Sequence, residues 1–128
     1  MEKQMIEYYA SQIVDASYRV QKELGPGLLE SVYLFCFMEE FKIRGINAAQ
    51  EIFLPLYYRG KRLNKDFRID ILVENEIIIE VKAVEILLPV HKAQLISYLK
   101  LADKKLGFLI KFNVAVFKDG IHRYVNNF

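Results

Sequence analysis

The stretch Phe67-Arg68-Ile69-Asp70-Ile71-Leu72-Val73-Glu74-Asn75-Glu76-Ile77-Ile78-Ile79-Glu80-Val81-Lys82, residues 67–82, decides how the chain is read. Phe67, Ile69, Ile71 and Val73 alternate with Arg68, Asp70 and Leu72, the period-two pattern of a strand. Asn75 marks a turn. Ile77-Ile78-Ile79 opens a second strand that runs to about Ala83. Glu80 and Lys82 share a face of it, because strand side chains alternate. Register decides whether Asp70 joins them. A two-residue turn at Asn75-Glu76 would pair Asp70 with Val81 and aim it away from Glu80. A three-residue loop, Glu74-Asn75-Glu76, pairs Val73 with Ile77, Asp70 with Glu80 and Arg68 with Lys82. Such a loop needs a left-handed residue, which Asn tolerates, and this register is the one expected.

Directly opposed Cβ atoms lie about 4.5–5.5 Å apart. Two bare carboxylates at that distance repel, and one of them would hold a proton. A divalent cation removes the conflict, and oxygen ligands with few histidines suit Mg²⁺ or Mn²⁺. Such an ion lowers the pKa of a bound water and neutralises charge on a phosphate. Lys82 beside it could orient the water or stabilise developing charge. The bland alternative is a solvated cross-strand ion pair, and an Asp followed by Glu-x-Lys is a weak pattern by itself.

The flanking segments supply helices. Ile6, Tyr9, Ile13, Ala16, Val20 and Leu24 step by three or four, one face of a helix, which Gly25-Pro26-Gly27 ends. A second helix is expected from about Leu28 to Arg44, stopped by Gly45. It is apolar on several sides, which predicts deep packing. Glu30 falls on a stripe with Leu34, Phe37 and Phe41, a costly place for a carboxylate without a partner. A β-rich segment with a turn at Arg59-Gly60-Lys61 occupies Ala48 to Arg68. Pro89 opens a third helix, from about Val90 to Ala102, and Leu106 to Phe112 reads as a buried strand. Val114–Phe117 and Ile121–Val125 flank Lys118-Asp119-Gly120, a hairpin signal. Helices packed on a central sheet follow from this order.

Composition narrows the function classes. One domain over residues 1–128 is expected from the length. The net charge of +2 is too small for a strongly basic nucleic-acid binder. A local patch must then do any such binding, and Arg59, Lys61, Arg62, Lys65 and Arg68 form the candidate, against a plain solvated hairpin rim. The single Cys36 permits no internal disulfide, which fits a reducing cytoplasm. With two histidines it also argues against a structural zinc site. The N-terminus is charged, unlike a signal peptide, and no run reaches the ~18 apolar residues of a membrane span. The 17 Tyr and Phe residues suggest a buried self-interface, that is, a homodimer.

Gly27-Leu28-Leu29-Glu30-Ser31-Val32-Tyr33 reads G-x-x-E-x-x-Y. With Asp70, Glu80-Val81-Lys82 and His91-x-Ala93-Gln94-x-x-x-Tyr98, the chain resembles the GxxExxY family from about Tyr8 to Asn113. That family is placed in the PD-(D/E)XK, or restriction-endonuclease-like, superfamily. The resemblance implies an α/β fold with an α-β-β-β-α-β core, here with an extra N-terminal helix and a C-terminal β-hairpin. It implies that Asp70 and Glu80 hold Mg²⁺ and that Lys82 serves the attacking water. Glu30 matches a helix carboxylate that assists the site, and Gln94 matches a glutamine near it. The carbonyl of Val81 is a further expected ligand. Ile69 stands where the superfamily name has Pro. Glu30 could instead be a charge favoured at a helix N-terminus. Tyr33 is expected to pack, His91 to cap its helix or relay protons, and Tyr98 to pack or lie at an interface. The expected function is a Mg²⁺-dependent nuclease cutting DNA or RNA phosphodiesters. Its rival is a catalytically silent nuclease-fold module for nucleic-acid binding or protein assembly.

Overall fold

Glycine conformation separates the first two helices of the computed structural model, which describes residues 1–64 and 66–128. Helix α1 (Lys3–Leu24) buries Ile6, Ala10, Ile13, Ala16 and Val20 along one face. It ends where Gly25 takes φ 69° and donates its N–H to the Gln21 carbonyl. Helix α2 (Glu30–Ile43) buries Tyr33, Leu34, Phe37 and Phe41, and Gly45 follows at φ 68°. The deep packing expected of α2 is not found. Val32, Phe35 and Ile43 are exposed, because α2 covers the sheet on one side only and nothing described lies outside it.

Strands β1 (Ala48–Leu54), β2 (Tyr57–Tyr58), β3 (Lys61–Arg62), β4 (Phe67–Val73) and β5 (Ile77–Lys82) come next. Helix α3 (Pro89–Leu101) then crosses over to β6 (Leu106–Lys111), and β7 (Ile121–Val125) closes the chain. The main sheet has the order β1-β4-β5-β6-β7; only β5 and β6 are parallel, as a helical crossover requires. Helices α1 and α2 lie against Ile71, Val73, Ile77, Ile79, Val81, Phe108 and Ile110. Helix α3 lies on the other face, against Leu72, Ile78 and Leu109. Ile77 through Val81 are therefore all buried, as in a strand covered on both sides.

The C-terminal hairpin pairs β7 with β6, and Val114–Phe117 is not its first strand. Lys111 donates its N–H to the Gly120 carbonyl. A Cβ on Gly120 would lie 2.0 Å from the Lys111 carbonyl oxygen, so the return strand presses directly onto the end of β6. The intervening residues instead reach α1: Val114 accepts a hydrogen bond from Gln21, and Phe117 meets Tyr18 edge to face.

The β4–β5 register is the expected one, with Val73 opposite Ile77 and Ile71 opposite Ile79. Both Glu74 and Asn75 take positive φ, 52° and 58°, and Glu76 donates its N–H to the Val73 carbonyl. Glu74 is held there by Asn47, whose N–H donates to its carboxylate. The regular ladder stops at Ile71–Ile79. Neither the expected Asp70–Glu80 pair nor Arg68–Lys82 is therefore part of the ladder; Arg68 pairs with Phe53 on β1.

Candidate active site

The strict alternation expected of β4 breaks at Asp70. Ile71 packs into the core under α1 and α2, whereas Ile69 packs into the core under α3. Residues two apart on a regular strand face the same way, so the strand turns over between them. The partner strand breaks at the same height. Gln50–Ile71 and Ile52–Ile69 are paired, but Glu51, between them, has φ 52° and no partner in the strand ladder among the described residues. This defect frees the Asp70 side chain to cross to β5, where its Oδ2 accepts the Val81 N–H at 2.8 Å.

Glu80 meets it there. Glu80 is 6% exposed, one of two buried polar side chains among the described residues. Its carboxyl is pushed up to about 9, first by burial, then by the charge of Asp70 and a hydrogen bond with the Asp70 carboxyl; Lys82 works in the opposite direction. Glu30, in the first turn of α2, is raised by burial and by Asp70 and lowered by Lys82. Asp70 and Lys82 thus act on both Glu80 and Glu30. Glu30 is at once a helix N-terminal charge and a member of the cluster. Tyr33 sets its position: the buried phenol donates to the Gly25 carbonyl at 2.6 Å and accepts the Leu28 N–H at 3.2 Å. Its ring stacks on Phe112.

Gln94 reaches the cluster through Tyr98. The Tyr98 phenol is raised by burial and by the charges of Glu80 and Asp70, and lowered by a hydrogen bond from Gln94. The Tyr98 ring also lies against Phe67 of β4. Tyr98 was expected to pack or to lie at an interface; it does pack, and its phenol also feels the charges of both acids. The i, i+4 spacing from Gln94 was the sequence signal for this. His91 caps α3, its Nδ1 accepting the Leu88 N–H at 3.0 Å. Lys111, not expected at the site, stands in register beside Lys82, and its Nζ donates to the Glu85 carbonyl after β5.

The basic residues expected to grip phosphates are unequal. Arg62 is paired with Asp66 at 2.9 Å and Arg68 with Glu51 at 3.6 Å. Arg59 and Lys61 are exposed, with no ion pair among the described residues. Lys65 lies outside the described residues. Nor do three His, Cys, Asp or Glu side chains among the described residues gather into a metal cage. Mg²⁺ does not require one, since it keeps several waters and often takes one or two carboxylates plus substrate phosphates. Two carboxylates meeting in a largely apolar sheet, with the proton affinity of one raised, fit a hard divalent cation.

The model of the PD-(D/E)XK nuclease superfamily matches residues 7–124. The crystal structure of SSO0001 is similar at 25% identity and a TM-score of 0.49, over 73% of this chain and 47% of that one. The chain thus spans about half the length of that protein. No curated protein matches the chain.

Proposed function

The chain belongs to the PD-(D/E)XK nuclease superfamily, and from that premise we propose that it is a GxxExxY-type member hydrolysing phosphodiester bonds of DNA or RNA with a divalent cation. The observation that carries this reading is the meeting of Asp70 and Glu80 beside Lys82. Asp70, Glu80 and the Val81 carbonyl would hold Mg²⁺ or Mn²⁺, with Glu30 in support. When bound, the ion acidifies a water and neutralises phosphate charge. The Lys82 ammonium orients the attacking water and stabilises developing negative charge. Gln94 fixes the Tyr98 hydroxyl, which faces the acids. The exposed face of α2, with Val32 and Phe35, is proposed to seat a second copy of the chain.

The test is a calorimetric titration of Mg²⁺ or Mn²⁺ into the chain and into Glu80→Ala, followed by hydrolysis of a labelled oligonucleotide. Binding and cleavage should be present in the intact chain. Glu80→Ala should abolish the binding and slow cleavage at least ~100-fold, the scale of lost transition-state stabilisation. No binding, with or without oligonucleotide, would sink the reading and leave the silent nuclease-fold module.

A further inference from the structure

The β2–β3 ribbon buries nothing. Its ladder has two pairs, Tyr57–Arg62 and Tyr58–Lys61. Directly opposed residues share a face, so each face of the ribbon carries one tyrosine and one cation. All four residues are exposed, Tyr57 at 49% and Tyr58 at 63%. Arg59 and Gly60 form the tip, both at positive φ. Tyrosine favours strands because it packs on a half-buried surface, and here both rings are exposed. A third pair repeats the pattern on the main sheet: Phe53, 63% exposed, stands opposite Arg68.

These three pairs lead toward Asp70. Arg62 is tied to Asp66 at 2.9 Å, just before β4. Four residue steps along the chain then separate Asp66 from Asp70, roughly 13 Å. Arg68 and Phe53 lie along that path. Tyr58, Arg59 and Lys61 line one open cleft together.

We propose that this aromatic–cation edge is a stacking platform for unpaired nucleotides, so the substrate of the nuclease site is a single-stranded nucleic acid or a single-stranded segment of a longer one. The chemistry is specific to unpaired bases. An exposed ring can stack only on a base whose face is free, and a cation beside it meets the adjoining phosphate. A paired duplex offers only its phosphates to such a surface. Tyr58 with Lys61 is the strongest pair, because Arg62 and Arg68 are partly neutralised by Asp66 and Glu51.

The inference rests on the nuclease reading but is tested without catalysis. Anisotropy with labelled single strands and the matching duplex is measured on the full chain in EDTA, with deoxy and ribo arms to separate the two sources of the same chemistry. The single strand should bind more tightly than the duplex. Tyr58→Ala should weaken single-strand binding by about tenfold, within the range of one base–aromatic stack. Tyr58→Phe, which keeps the ring, should bind as the intact chain does. Duplex binding equal to or tighter than single-strand binding would overturn the proposal, as would Tyr58→Ala without effect. Absence of any oligonucleotide binding would overturn it too. A chain that binds single strands but never cuts them keeps this inference and loses the nuclease reading.

Discussion

Glu80 is the residue on which the site turns. Its carboxyl holds a proton to about 9 in the folded chain, against an ordinary value of 4.5. A raised acid stabilises the fold fully below its unfolded value, and that contribution is lost as pH climbs through the window up to the folded value. The metal-free chain should therefore lose stability between about pH 4.5 and 9. Glu80→Gln stays neutral and escapes this loss. Its unfolding free energy from denaturant titration in EDTA should exceed that of the intact chain at pH 8, by on the order of a few kcal/mol, and match it near pH 4. Equal free energies at pH 8 would mean that Glu80 is not strained in the fold. The same substitution should weaken cation binding, so stability and function pull in opposite directions here, as is common at active sites.

Helix α2 matters through where it starts. The G-x-x-E-x-x-Y segment works as a clamp: Tyr33 binds both ends of the Gly25–Leu28 connection and so sets the first turn that carries Glu30. Tyr33→Phe removes one donor and one acceptor from the clamp. The expected cost is about 1–2 kcal/mol, since each net hydrogen bond is worth roughly 1 kcal/mol. Thermal melting would measure that loss, and a weakened cation affinity would show that Glu30 had moved with it. Helix α3 is placed differently. Gly107 of β6 lets it come close: a Cβ there would lie 3.0 Å from Leu95 and 3.2 Å from Leu99. That close approach carries Tyr98 and Gln94 down to the acids.

At the scale of the whole molecule, five strands between two helical layers leave two kinds of surface unexplained by the core. One is the aromatic–cation edge. The other is the outer side of α2, where Phe35 is 65% exposed. Val32, Phe35 and Ile43 are all exposed apolar residues of this one helix. Light scattering should give a dimer mass that falls to the monomer in Phe35→Glu, with the fold unchanged by circular dichroism. A monomer at all concentrations would rule out the second copy. No described helix is long and apolar enough to cross a membrane.

Local chemistry made much of this protein legible in its sequence. The three helices and most of the strands, in their order along the chain, follow from apolar spacing, from glycine at helix ends and from proline at the start of α3. The β4–β5 register follows from the turn at Glu74-Asn75, because turn geometry is set by near neighbours. These features brought Asp70 and Glu80 into range and marked Glu30 as a carboxylate out of place on an apolar stripe. The C-terminal turn signal misled, since β6 offered β7 a longer edge to pair with than Val114–Phe117 could. Only the tertiary structure decided how the acids meet. Ile69 and Ile71 choose opposite cores, and that choice turns β4 over at Asp70, beside Glu51, where the ladder is interrupted. No run of neighbouring residues encodes it, because it depends on what two separate layers of helix leave to be filled. The same is true of the Tyr98 hydroxyl and of the cations opposite each exposed ring: spacing puts residues on a face, and packing of distant segments decides what that face meets.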